Sequence, residues 1–203
     1  MEKTAKFWDR MAPRYSRQPI ANETAYQTKL ALTRQYLNPN SVVFEFACGT
    51  GSTALAHAPY VKSIEAVDIS LKMVEIAQDK AESMRIDNVT FRQANINDLS
   101  VSDNAFDMVM GHSILHLLPN KDEVIAEVYS MLKPGGTFVS STACMGDSWT
   151  FRVMAGLFSV GSLLGVLPVL NVFSRFELVA SLVSAGFEID YEWGLRIVMW
   201  CLL

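Results

Sequence analysis

Val42-Val43-Phe44-Glu45-Phe46-Ala47-Cys48-Gly49-Thr50-Gly51 is a short β-branched and aromatic run that breaks into a Gly-x-Gly turn and passes at once into a helix-patterned segment. Strand, tight turn and helix in direct succession begin a βαβ unit, and the rest of the chain repeats the alternation. Strand patterns fall at residues 42–46, 64–68, 89–92, 106–110 and 137–141, and apolar residues recur at helical spacing over 24–37, 52–57, 71–84 and 122–132. This is the pattern of an α/β fold, a mostly parallel sheet with helices on both faces. Ser174-Arg175-Phe176-Glu177 has capping-box spacing and opens a helix expected to stop at Gly186. Residues 187–193 and 197–203 are left as closing strands, and only Gly194, Leu195 and Arg196 lie between them. They can pair only as an antiparallel hairpin, because a parallel return needs a crossover of about a dozen residues.

At 203 residues the chain accommodates one domain with a substantial core, so residues 1–203 are expected to form a single unit. Half of them are hydrophobic and 19% are charged, the composition of a folded globular protein. The net charge is −4 and no run of Lys or Arg interrupts the chain, which excludes the electrostatic footprint of a nucleic-acid backbone binder. Cys48, Cys144 and Cys201 lie far apart in apolar stretches, and the segment from Met1 to Lys6 lacks an export signal, so a cytoplasmic location is expected.

In an open parallel sheet the ligand crevice lies beyond the carboxyl ends of the strands. Gly49 and Gly51 remove side chains at that point, so the backbone can turn sharply and approach a ligand, as a nucleoside-type cofactor requires. Gly49 to Ala54 also satisfies the dinucleotide spacing, with Asp68 about 20 residues on where a ribose-binding acid is expected. Spacing alone leaves both readings open. Glu45 favours one of them: a carboxylate is awkward beside a pyrophosphate and tolerable beside a ligand carrying an ammonium and a sulfonium.

The segment resembles the first motif of class I S-adenosylmethionine-dependent methyltransferases, with Ala47 standing where the family usually has its first glycine. Phe7-Trp8-Asp9-Arg10-Met11-Ala12-Pro13-Arg14-Tyr15 resembles the opening helix of their small-molecule, UbiE-like branch. Ala66-Val67-Asp68-Ile69-Ser70 with Met73 is similar to the second strand and following turn, and Asn95-Ile96 aligns where the family usually has an aspartate. Phe106-Asp107-Met108-Val109-Met110 and Leu132-Lys133-Pro134-Gly135-Gly136 match the fourth strand and the turn before the fifth. The resemblance implies a Rossmann-like seven-stranded sheet with an antiparallel last strand, S-adenosylmethionine as cofactor, and a small-molecule methyl acceptor. It also implies a cofactor site made of Tyr15, Glu45, Ala47, Cys48, Gly49, Thr50, Gly51, Asp68, Ile69, Met73, Asn95, Ile96 and Gly111. In it Asp68 takes the ribose hydroxyls, Met73 lies against the adenine and Tyr15 acts as a lid; residues 1–37 supply the lid helices.

Methyl transfer from a sulfonium is an in-line displacement, so the protein mainly holds the reactants together and, for oxygen or nitrogen acceptors, removes a proton. The residues just past the fourth strand face the crevice, which makes His112 the first candidate as base or hydrogen-bond donor. Tyr15 and His116 are further catalytic candidates, His116 being expected one helical turn beyond His112 on the same face. The two histidines have no third ligand at metal spacing, so no metal site is expected. Residues 153–173 are nearly free of charge and interrupted by Gly156, Gly161 and Gly165. By resemblance residues 145–173 form an apolar lid over the acceptor, which would favour a hydrophobic molecule. Peripheral membrane contact is the minor alternative for that segment, and the oligomeric state is left open. The functional alternatives are a nicotinamide-dependent oxidoreductase and a module that binds S-adenosylmethionine without turnover.

Overall fold

The computed structural model describes residues 2–99, 101–147, 170–193 and 197–202, the last of these as backbone only. The apolar segment expected at 153–173 therefore lies mostly outside the described residues, as does the turn at 194–196. Strands β1 (Val42–Phe46), β2 (Ser63–Asp68), β3 (Val89–Gln93), β4 (Phe106–His112) and β5 (Leu132–Thr142) run parallel in the order β3-β2-β1-β4-β5. Beyond β5 the sheet continues with β7 (Ile197–Leu202) and then β6 (Glu188–Trp193), and β7 is antiparallel to both of its neighbours. The order reverses at β1, whose neighbours are β2 and β4, and this places a crevice above its carboxyl end.

Helices α1 (Glu2–Tyr15), α2 (Glu23–Arg34), α3 (Ser52–His57), α4 (Leu71–Met84), α5 (Lys121–Met131) and α6 (Arg175–Ser184) cover the sheet. Several boundaries have a local cause. Asn22 and Ser70 accept from the amides of Ala25 and Met73 to start α2 and α4, and Ser174 with Glu177 forms the full capping box that starts α6. The α2 helix stops at Arg34, earlier than apolar spacing suggests, because the chain then turns through Asn38, whose carbonyl accepts from Ser41 N–H, into β1.

Side chains alternate across the sheet and build two cores. Phe44, Phe46, Val109 and Phe138 pack against Val124, Ile125 and Val128 of α5 and Leu178 and Leu182 of α6. On the other face, Val43, Met108, Met110 and Val139 pack against Ala54 and Leu55 of α3 and Val74 and Ala77 of α4. By this alternation Glu45, between Phe44 and Phe46, belongs to the α3–α4 face. A carboxyl group is thus enclosed at the centre of an apolar layer.

Candidate active site

The chain leaves β1 through Ala47 at φ 53°, Gly49 at φ 56° and Gly51 at φ 75°, three left-handed residues within five positions. Left-handed backbone is costless for glycine and strained for alanine, so Ala47 carries strain that a glycine in its place would not. Gly51 is also required by space, since a Cβ there would lie 2.7 Å from Phe91 Cζ and 2.8 Å from Ala77 Cβ. Gly49 is open on its outer side, where the first neighbour of a Cβ would be Tyr15 Cε1 at 3.9 Å. Cys48 is buried, with its thiol pushed well up by burial, which makes it an apolar filler. The Thr50 hydroxyl and carbonyl both accept from Lys80 Nζ, at 2.8 and 3.0 Å, which leaves its amide and the hydroxyl O–H as donors.

Asp68 ends β2 and is 8% exposed. Its two oxygens accept from Gly49 N–H at 2.8 Å and Ser70 N–H at 2.9 Å, tying the two strand ends together. Burial raises its pKa while the amides of Ser70, Gly49 and Ile69 pull it back. Ile69 and Met73 follow on the same turn, Met73 buried in the first turn of α4. Asn95 precedes the single turn Ile96–Asp98, where its side chain accepts from Asn97 N–H, and Ile96 is buried beside it.

Helix α1 is docked over this turn by Asp9, a residue given no role by its place in the sequence. Its Oδ1 accepts from Ser70 Oγ at 2.6 Å and from Lys72 N–H at 3.1 Å, at the positive end of the α4 dipole. That contact carries Tyr15, 49% exposed, to the glycine turn, where burial and the Asp68 charge both raise its phenol pKa.

Glu45 is 2% exposed, and its Oε2 has no partner. Burial pushes its pKa up to about 8 against the pull of Lys29 and the Ala54 amide. Lys29 of α2 faces it, with a pKa brought down to about 8 by burial. His57, the last residue of α3, is fully buried with neither ring nitrogen partnered, and burial with Arg34 and Lys29 pulls it down to about 4. A carboxyl oxygen without a donor in a low-dielectric site is costly, and a cationic ligand group would offset that cost.

The histidines correct the expectation that they share a helix face. β4 continues through His112, whose strand neighbour is Ser141, and His112 Nδ1 lies 3.1 Å from Ser141 Oγ. His116 sits in the single turn Leu115–Leu117 with Nδ1 3.0 Å from Thr142 Oγ1. Ser141 and Thr142 are consecutive on β5 and project to opposite faces, so the two imidazoles do as well. His112 shares the Glu45 face; its Nε2 is buried without a partner, and burial, Lys29 and His57 hold its pKa well below 6.5. Gly111 is glycine because of packing: a Cβ there would run into the Phe46 ring. No group of three His, Cys, Asp or Glu able to hold a metal ion occurs among the described residues.

A crevice above β1 with an acid at its end, left-handed turns beneath it and a second acid on β2 defines a nucleoside-cofactor site rather than a pyrophosphate site. Residues 37–161 match the family model of a methyltransferase domain. The chain is 30% identical to a demethylmenaquinone methyltransferase of Lactiplantibacillus plantarum, over 74% of this chain and 70% of that protein. It is 27% identical to the ubiquinone/menaquinone biosynthesis C-methyltransferase UbiE of Geotalea daltonii, over 92% of this chain and 88% of that one. Among solved structures, the YcgJ protein of Bacillus subtilis superposes with a TM-score of 0.69 at 23% identity, covering 82% of this chain and 72% of that chain. The chain belongs to the class I S-adenosylmethionine-dependent methyltransferases. The dinucleotide reading of the Gly49–Ala54 spacing is set aside with it.

Sequence reasoning missed Lys29, His57 and Asp9. Lys29 had a signal: it lies beside Leu30 and between Tyr26 and Thr33 at helical spacing, a lysine on the inward stripe of α2.

Proposed function

We propose that the chain transfers a methyl group to a small hydrophobic acceptor held above β4 and β5, with S-adenosylmethionine bound across the ends of β1 and β2. The observation that carries this reading is the unpartnered Glu45 Oε2 at the end of β1, beside a turn whose backbone is exposed for a ligand. When bound, the cofactor supplies a methyl carbon made electrophilic by a sulfonium. The residues that would hold it are Glu45 at the amino-acid end, the amides of Ala47 to Gly51 beneath it, Asp68 at the ribose, and Met73, Asn95 and Ile96 at the base. Tyr15 closes the crevice from above and excludes water.

His112 is assigned to the acceptor. In one tautomer Nδ1–H donates to Ser141 Oγ and Nε2 is a lone pair; in the other Ser141 donates and Nε2–H is a donor. Its depressed pKa keeps the ring neutral and makes it a weak base, so its main effect is to hold the acceptor by hydrogen bonding and accept its proton only transiently. His116, on the far face of β5, orients the β4–β5 ends and stays outside the reaction. The names of the relatives, which refer to demethylmenaquinone and to quinone biosynthesis, support a hydrophobic acceptor.

The test is turnover with a methyl donor carrying deuterium, in extracts fractionated by polarity, reading by mass which compound gains the labelled methyl group. Labelled product in the apolar fraction is expected. Stabilisation by the donor with no labelled product in any fraction would favour a module that binds without turnover.

A further inference from the structure

We propose that Lys29 is the anion-binding member of the cofactor site, and that with Glu45 it forms a split pair of opposite charges that selects a ligand with an intact zwitterionic amino-acid end. This rests on the cofactor site proposed above. Lys29 and Glu45 come from α2 and β1, and each acts electrostatically on the other beside the glycine turn. Tyr26, one turn before Lys29, hydrogen-bonds Thr53 in the first turn of α3, and the Ala54 amide there serves the Glu45 carboxyl. Lys29 Nζ rests 5.3 Å from the Tyr26 ring centroid.

The two groups act on each other without closing into an ion pair. Among the described residues Lys29 forms no salt bridge, and Glu45 Oε2 has no partner at 2% exposure. A pair serving only to neutralise itself would close, because separation costs both groups their solvation and returns little attraction. The opposed shifts, a carboxyl raised to about 8 and an ammonium lowered to about 8, are what two partly desolvated and unclosed partners produce. An α-amino acid carries an ammonium and a carboxylate on one carbon, so a single ligand end satisfies both groups and leaves the site neutral. His57 and Arg34, behind Lys29, supply no competing anion.

The test is isothermal titration of the wild type, Lys29→Met and Lys29→Arg with two probes: S-adenosylhomocysteine, which has the amino-acid end, and 5′-methylthioadenosine, which lacks it. Lys29→Met is expected to weaken the first probe by about 10- to 100-fold, the loss for one charged hydrogen bond, and to leave the second within about twofold. Lys29→Arg keeps most of the first affinity. Equal weakening of both probes, or no weakening of either, overturns the inference by making Lys29 a structural residue. Wild-type binding of 5′-methylthioadenosine without preference for S-adenosylhomocysteine overturns it and leaves the nucleoside site standing. Binding of neither probe overturns the cofactor site as well.

Discussion

Ala47→Gly should stabilise the ligand-free protein. At φ 53° Ala47 occupies left-handed backbone, where an L-residue with a Cβ carries about 1–2 kcal/mol of strain. Glycine removes that strain but gives the unfolded chain more conformations, which offsets about 0.4–1 kcal/mol. The net gain is about 0.8 kcal/mol. For a chain of this size each kcal/mol moves Tm by about 2–4 °C, so a rise of about 2–3 °C is expected by scanning calorimetry at fixed pH and protein concentration. Ala47→Val is the control: it places a β-branched side chain at the same φ, a backbone region such residues almost never occupy, and Tm should fall by more than about 3 °C. A glycine variant that melts at or below the wild type would refute the reasoning, because the strain assigned to Ala47 would then be absent or already relieved.

Asp68→Ala should weaken S-adenosylhomocysteine binding by about 1.5–3 kcal/mol in titration calorimetry; it should also lower Tm, since Gly49 and Ser70 N–H lose their acceptor. Unchanged affinity would remove Asp68 from the ribose. The Tm of the ligand-free protein should fall from about pH 6.5 to 7.5. Glu45 keeps its proton up to about 8 when folded but loses it near 4.5 when unfolded, so the native state binds more protons in that window and stability drops as pH rises. The depressed cations act oppositely outside that window, His57 and His112 below about pH 6.5 and Lys29 from about 7.5 upward. Glu45→Gln should flatten the slope above pH 6.5, and an unchanged slope would clear Glu45. His112→Ala should cut kcat by at least about tenfold with cofactor affinity held, and His112→Gln should recover part of it; normal turnover in the alanine variant would make His112 structural.

Much of this was legible along the chain. The bounds of β1, α3 and α4 coincide with the residues expected from local pattern, and Ser174 with Glu177 forms the capping box its spacing announced. These features are decided by neighbours: apolar periodicity, a side chain reaching an amide three residues on, glycine at a turn. Glu45 and Asp68 were legible for the same reason, as acids at the ends of apolar strands. His112 was named as a candidate but misplaced relative to His116. Whether β4 stops at Met110 or runs through His112 depends on pairing with Ser140 and Ser141 about 30 residues away, and that pairing sends the two rings to opposite faces.

The amino-acid sequence by itself therefore determined the α/β class, the crevice above β1 and the acid at its centre, because each follows from interactions within a few residues. Only the tertiary structure decided that Ala47 is left-handed, that Asp9 clasps α1 onto α4, and that Lys29 acts on both Glu45 and His57. Those outcomes depend on how α1, α2 and α3 pack across the ends of the strands. The charge state of a buried group likewise depends on what long-range packing places beside it.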